Sequence, residues 1–246
     1  MTILFSPSEA KSLLNTDRFK ISNLPFQESL LTLREDILEK YKKIVSGDKK
    51  NLSIHTGLNK SDELDQLSSA PLDQGICALY RYTGVAFKYL DADSLENKEL
   101  DFLYKNLLIF SNLFGPIYGG DIIPYYKLKQ GQSLNGFKVE NAYKPILNPL
   151  LDEKLNNSFV LDLRAGFYEK FYTPKIPYCT MQFFKEGKKI SHWAKAYRGK
   201  VVRTLAIYRP STQSEFEDIS FEGLQIKEIL RQKNATHYFF DISDAL

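Results

Sequence analysis

The chain has 246 residues, 43% of them hydrophobic and 26% charged, enough for a normal globular core in one large domain or two small ones. Its formal net charge of +3 excludes nucleic-acid binding through overall charge, so any such affinity has to come from local clusters. No run approaches the roughly 20 apolar residues of a membrane span, and the start lacks a basic segment followed by a long apolar one, so a cytoplasmic protein with no membrane partner is expected.

In chain order, Thr2–Phe5 is a short apolar and β-branched run that stops at Ser6-Pro7 and predicts a buried first strand ending in a loop. After Pro25, the residues Leu30, Leu33, Ile37, Leu38, Tyr41, Ile44 and Val45 recur at helical spacing, with Gly47 as the stop. Ser61-Asp62-Glu63 opens a shorter helix, and Pro71 begins another that ends near Arg81-Tyr82-Thr83-Gly84. Ser94 caps a fourth, with Leu100, Leu103, Leu107 and Leu108 on one side. β-Branched and aromatic content predicts strands over 125–129, 159–163, 178–184, 188–193 and 236–241, with Glu186-Gly187 as a hairpin turn. The stretch 131–157, which holds Pro145 and Pro149, reads as the least regular, and 210–218 as an exposed loop. Between these, Ala194, Tyr197, Val201, Leu205 and Tyr208 share one face of a helix whose flank carries Lys195, Arg198 and Arg209. The fold class that follows is α/β: a single domain over 1–246 with a mixed β-sheet surrounded by helices.

Cations cluster in two places. Lys40, Lys42, Lys43, Lys49 and Lys50 are offset by Glu35, Asp36, Glu39 and Asp48, which makes a solvated helix face; Lys185, Lys188, Lys189, Lys195, Arg198, Lys200 and Arg203 have only Glu186 beside them. Three segments follow or close a strand: Ser6-Pro7-Ser8-Glu9-Ala10-Lys11, then Asp162-Leu163-Arg164-Ala165-Gly166-Phe167-Tyr168, then Ser191-His192 running into Lys195. Ligands of α/β sheets bind outside the strand ends, so these segments are candidates to share one site. Lys11, Arg164 and Lys195 supply positive charge there, and Glu9 or His192 a proton-transfer group. Taken singly, each has a plainer reading: Asp162 and Arg164 as an ion pair, Ser6 as a helix cap, His192 as a satisfied core residue. The turn at Ser111-Asn112-Leu113-Phe114-Gly115 can direct backbone N–H groups at a phosphate, although an ordinary helix stop before Pro116 accounts for it as well.

Cys77 and Cys179 stand far apart, without the spacing of a zinc site or a disulfide framework. His55, His192 and His237 are not at paired ligand spacing either, so neither a metal site nor a cofactor is expected.

Together the motifs resemble the YaaA family of bacterial peroxide stress resistance proteins. The resemblance is carried by Ser6-Pro7-Ser8-Glu9-Ala10-Lys11, Arg81-Tyr82-Thr83-Gly84-Val85, Phe110-Ser111-Asn112-Leu113-Phe114-Gly115 with Pro124-Tyr125-Tyr126-Lys127-Leu128, Asp162-Leu163-Arg164-Ala165-Gly166-Phe167-Tyr168, and Ser191-His192 through Arg203, in order across nearly the whole chain. It implies a cytosolic protein that protects against hydrogen peroxide by keeping free intracellular iron low, and that binds double-stranded DNA. It further implies a basic cleft and a helix-hairpin-helix element, placed here at about 107–123. The chain has Asn112 where the hairpin pattern prefers glycine, and Pro116 just beyond it.

Two functions follow. The first is sequence-tolerant DNA binding in the peroxide stress response, with Ser6, Lys11, Arg81, Thr83, Asn112, Gly115, Arg164, Lys195, Arg198 and Arg203 as the ligand or DNA contacts. The second is an enzyme acting on a nucleotide-like small molecule, with Glu9 or His192 as acid or base.

Overall fold

The computed structural model describes residues 1–190 and 193–243. Strand β1 (Thr2–Phe5) is followed by the short strand β2 (Asp17–Arg18), helices α1 (Gln27–Val45), α2 (Lys49–Thr56) and α3 (Ser61–Ser68), strand β3 (Gln74–Cys77), and helices α4 (Ala78–Arg81), α5 (Val85–Leu90) and α6 (Asn97–Asn106). A hairpin of β4 (Leu107–Ser111) and β5 (Gly115–Tyr118) leads through β6 (Ile122–Ile123) to the long helix α7 (Val139–Leu155). Then come β7 (Val160–Asp162), β8 (Tyr178–Lys185), β9 (Lys188–Lys189), α8 (Ala194–Tyr208), α9 (Gln213–Glu217), and a terminal hairpin of β10 (Leu224–Gln232) and β11 (Ala235–Ile242).

One mixed sheet organises this single-domain α/β fold, in the order β10-β11-β8-β7-β1-β4-β5, with β9 beside β8; β2, β3 and β6 form a smaller sheet. Strand β1 is central because every one of its side chains is buried, and it pairs in parallel with β4 on one side and β7 on the other. The chain therefore leaves β1 towards β4 and later returns to its other flank. This reversal opens a crevice beyond the carboxyl ends of β1 and β7.

Helix α1 forms as its apolar spacing predicts, burying Leu30, Ile37, Tyr41 and Ile44. Arg34 is on the same buried face. Its guanidinium donates to the carbonyls of Phe114 and Pro116, each at 2.8 Å, and to that of Pro25, so the helix is pinned to the β4–β5 turn. Helix α8 packs on α5 through Gly199, where a Cβ would stand 2.0 Å from the carbonyl oxygen of Ala86. No side-chain rotation relieves a clash with backbone. Gly199→Val is therefore expected to cost more than the roughly 1–3 kcal/mol of ordinary overpacking, read as a drop in the denaturation midpoint; an unchanged midpoint would mean that the two helices do not meet this closely.

Several expectations are corrected. The helix expected from Pro71 is instead β3 and the single turn α4, because 74–77 pairs with both β2 and β6. The helix ascribed to a Ser94 cap is capped by Glu96 in a reciprocal box with Glu99, and Ser94 lies in the preceding 3₁₀ turn. That helix stops at Asn106, and Leu107 and Leu108 begin β4. A strand buried on both faces has a continuous apolar run, and such a run extends a helical pattern without a visible break. The segment 107–123 is consequently strand–turn–strand and not a helix-hairpin-helix. The stretch 125–129 joins no strand, although Tyr126 is fully buried.

The stretch 131–157, expected to be irregular, contains α7. Pro145 and Pro149 lie on its exposed side, where carbonyls freed by the missing N–H groups meet water, while Tyr143, Leu147, Leu151 and Leu155 face the core at every fourth position. The loop expected over 210–218 holds α9, capped by the Thr212 side chain. The hairpin turn Glu186-Gly187 is observed, but the strand after it covers only Lys188–Lys189, and Ser191 and His192 lie outside the described residues. Strand β10 was not expected at all. Among the described residues, no helix is long and apolar enough to cross a membrane.

Candidate functional site

At the carboxyl end of β1, the chain enters the loop Ser6-Pro7-Ser8-Glu9-Ala10-Lys11, which is fastened on three sides. The Ser6 hydroxyl accepts the Ala165 N–H at 2.7 Å, tying the end of β1 to the segment after β7. Thr83 N–H donates to the Ala10 carbonyl at 3.0 Å and Ser12 N–H to that of Arg81 at 2.8 Å, so the Arg81-Tyr82-Thr83-Gly84 segment runs alongside. Lys127 Nζ donates to the Glu9 carbonyl at 2.8 Å, and Gln130 N–H to Glu9 Oε1 at 3.1 Å. Gly84 permits the approach, since a Cβ there would lie 2.1 Å from Ser8 Oγ.

The result is a cavity of about 530 Å³ outside β1 and β7, with Ser6, Ser8, Glu9, Gln130, Lys195 and Arg198 among its polar lining and Val85, Ala86, Leu163 and Tyr168 among the rest. This cavity joins the carboxyl ends of β1 and β7 to groups of both charges, the arrangement expected of a ligand site in an α/β sheet. Arg198 is half-buried; its Nε is sealed from solvent without a hydrogen-bond partner, and burial holds its guanidinium below the usual arginine range. Among the described residues, no carboxylate lies within ion-pair distance of Arg198 or Lys195.

Lys11 does not line the cavity. Its ammonium donates to the Ser8 carbonyl at 2.8 Å and stands 4.4 Å from the Tyr126 ring centroid, so it holds the loop from its buried side even though part of the residue reaches solvent. Burial, with Lys127 adding to it, pushes its pKa down to about 7. The unfolded chain therefore binds this proton more tightly than the native one. The penalty is fully present below about pH 7 and fades as pH rises towards the ordinary lysine value. Between pH 7 and 9.5 the stability of the parent is expected to rise relative to Lys11→Met by up to about 1.4 kcal/mol per pH unit. Parallel denaturation midpoints of the two proteins would contradict this.

Arg164 is buried and committed elsewhere. Nε and Nη2 meet Asp162 Oδ1 and Oδ2 at 2.9 and 2.6 Å, Nη1 donates to the Tyr168 carbonyl at 3.0 Å, and the plane lies 4.4 Å from the Phe110 centroid. Arg81 is fully buried too, donating to the carbonyls of Ile123 and Ser12 and to Asn15 Oδ1. Arg203 donates to the carbonyls of Leu90 and Asp91 at the end of α5 and lines a separate depression with Lys88 and Lys200.

Asn112 and Gly115 lie in the β4–β5 turn, away from the cavity. Asn112 donates to the Leu128 carbonyl at 2.6 Å, and the N–H groups of Leu113 and Phe114 are taken by Ser111 Oγ, so these donors of the turn are committed within the protein. A buried hydroxyl chain, Tyr82–Tyr126–Ser111, with contacts of 2.9 and 2.8 Å, links the turn to the Lys11 pocket.

Of the expected residues, Ser6, Glu9, Lys195 and Arg198 are thus gathered in one cavity. Lys11 and Thr83 support its loop, Arg81, Asn112, Gly115 and Arg164 lie in the interior, and His192 lies outside the described residues. Sequence reasoning missed Ser8, Gln130 and Tyr168 as lining residues. Ser8 stood within a quoted motif, whereas nothing in the sequence marks Gln130.

A family model described as "Peroxide stress protein YaaA" matches residues 1–230. An uncharacterized protein of Campylobacter jejuni is 39% identical over 235 residues, covering 93% of this chain and 94% of that protein. A UPF0246 protein of Corynebacterium glutamicum is 30% identical over 241 residues, 93% and 95% of the two chains, and one of Fusobacterium nucleatum is 28% identical over 243 residues, 95% and 97% of the two chains.

Proposed function

Because the chain belongs to the peroxide stress protein YaaA family, we propose that it defends the cytosol against hydrogen peroxide by binding duplex DNA without sequence preference and by keeping free iron low. The observation that supports DNA binding is the pair Lys195 and Arg198, cations at the strand-end cavity that form no ion pair with a carboxylate of the described residues. Lys185, Lys188 and Lys189 around the β8–β9 turn, five to nine residues before α8 in the chain, are exposed, also have no ion-pair partner among the described residues and add positive charge. Phosphate neutralisation by such side chains gives affinity without base readout.

The test is complementation of a strain lacking the protein. The parent chain is expected to restore survival in hydrogen peroxide and a low level of chelator-accessible iron. The double variant Lys195→Ala with Arg198→Ala should restore neither. Full restoration by the variant would contradict the role given to these cations.

A second reading, an enzyme acting on a nucleotide or nucleobase, is supported by Glu9, whose carboxylate shares the cavity with Arg198. Glu9→Gln keeps size and hydrogen-bonding capacity and removes proton transfer, an effect worth roughly a hundredfold or more in rate for a general acid or base. Under the DNA reading this variant is expected to protect cells as the parent does. Lost protection with unchanged DNA affinity would decide for the enzyme.

A further inference from the structure

We infer that the strand-end cavity receives one nucleotide unit, its 5′-phosphate held by Arg198 and Lys195 and the N–H donors of its base by Glu9. The inference rests on the reading that phosphate sits at the cationic end of the site. The cavity is bipolar: two cations without carboxylate partners at one part of its wall and a carboxylate at another. Glu9 Oε1 accepts from Gln130 N–H, while no described residue donates to its second oxygen. An acceptor of this kind selects for a base with an amino or imino hydrogen, and it repels the phosphate towards Arg198. Val85, Ala86 and Leu163 give the space between an apolar wall suited to a ring and a sugar face.

Arg198 is the group left to meet the phosphate. Its Nε is sealed from solvent, so a phosphate oxygen would reach the other guanidinium nitrogens, which make no hydrogen bond or ion pair among the described residues. The size is consistent: about 530 Å³ lies within the roughly 300–1,000 Å³ of small-molecule sites. A duplex body needs a contact surface of about 600 Å² or more, so a duplex would meet these cations from the open rim of the cavity and would not fill it. The nucleotide is therefore a free mononucleotide or the terminal unit of a strand.

Titration calorimetry on the full chain with AMP, adenosine and inorganic phosphate tests this. AMP is expected to bind at least tenfold more tightly than adenosine, since a charge-assisted hydrogen bond is worth about 1.5–3 kcal/mol. Arg198→Met should erase that difference while leaving the melting temperature unchanged or raised, because an unmet buried donor has been removed; a structural arginine would lower it. Glu9→Gln should weaken AMP severalfold. Equal affinity for AMP and adenosine, or AMP binding by Arg198→Met equal to that of the parent, would overturn the proposal.

Covalently closed circular DNA, which has no ends, reports on DNA binding alone. Binding of the circle without binding of AMP overturns this inference and leaves the DNA reading standing; binding of AMP without binding of the circle does the reverse. When AMP binds, a preference for 5′-phosphorylated over 5′-hydroxyl linear duplex identifies the strand end as the source, and equal affinity identifies the free nucleotide.

Discussion

Replacing Arg164 by methionine is expected to destabilise the protein by about 3–5 kcal/mol, the usual cost of breaking a buried ion pair from one side. The Asp162 carboxylate would be left in the interior, 7% exposed, without its two-point partner. Of its hydrogen bonds, only the Arg164 backbone N–H at 3.0 Å would remain. The Tyr168 carbonyl would also lose its donor, and the Phe110 ring its cation. Because the pair joins the end of β7 to the segment that lines the cavity, its loss should loosen the site as well as the core. Adding Asp162→Leu to the same protein is expected to recover part of the deficit, since an apolar replacement of a whole buried pair is often neutral. Equilibrium denaturation measures both. A single variant within about 0.5 kcal/mol of the parent, the ordinary range for surface changes, would mean that Arg164 is not structurally committed.

The second large effect concerns DNA affinity. Each charge-assisted contact to phosphate is worth about 1.5–3 kcal/mol, so Lys195→Ala with Arg198→Ala is expected to weaken duplex binding at least tenfold. The loss should be the same for unrelated sequences, because backbone contacts carry no sequence information. With two cations gone, the dependence of log affinity on log salt should flatten by about 1.8. Stability should hardly change, as neither residue has an ion-pair partner to abandon. Gel shifts across a salt series check all of this; a double variant that tracks the parent at every concentration removes the amino-terminal turns of α8 from the interface.

Much of the fold was legible because it rests on period and composition. Strand β1 reads as an apolar run closed by Ser6-Pro7, α1 as a long amphipathic repeat, and α8 as an apolar stripe with a basic flank. The errors fall elsewhere, where tertiary pairing overrides a local signal. The pattern Leu100, Leu103, Leu107, Leu108 continues through the end of α6 into β4 because a strand buried on both sides shows no alternation. Pro145 and Pro149 read as breakers, yet both occupy the solvent face of α7. The two-residue strands β2 and β6 are too short to carry any pattern.

The site was legible in its loops and not in its charges. The motifs at Ser6–Lys11, after β7 and in α8 do converge, as strand-end logic requires. Which cation faces the ligand is decided by neighbours distant in sequence, except at Arg164, whose ion pair with Asp162 was one of the two readings the sequence offered. Arg164 is neutralised from two residues away, Arg81 is absorbed by the carbonyls of Ile123 and Ser12, and Lys11 is turned onto Tyr126, while Arg198 is left unpaired. No spacing rule separates Arg81 from Arg198.

The central claim, that the chain engages DNA through backbone phosphates, is tested most directly by the affinity of the purified parent protein for several unrelated duplexes between 50 and 200 mM salt, a range over which phosphate contacts dominate the change. The expected result is a common linear fall of log affinity with log salt, with a slope of about −0.9 for each phosphate neutralised and close agreement among sequences. No measurable binding at 50 mM salt, or binding insensitive to salt, would contradict it.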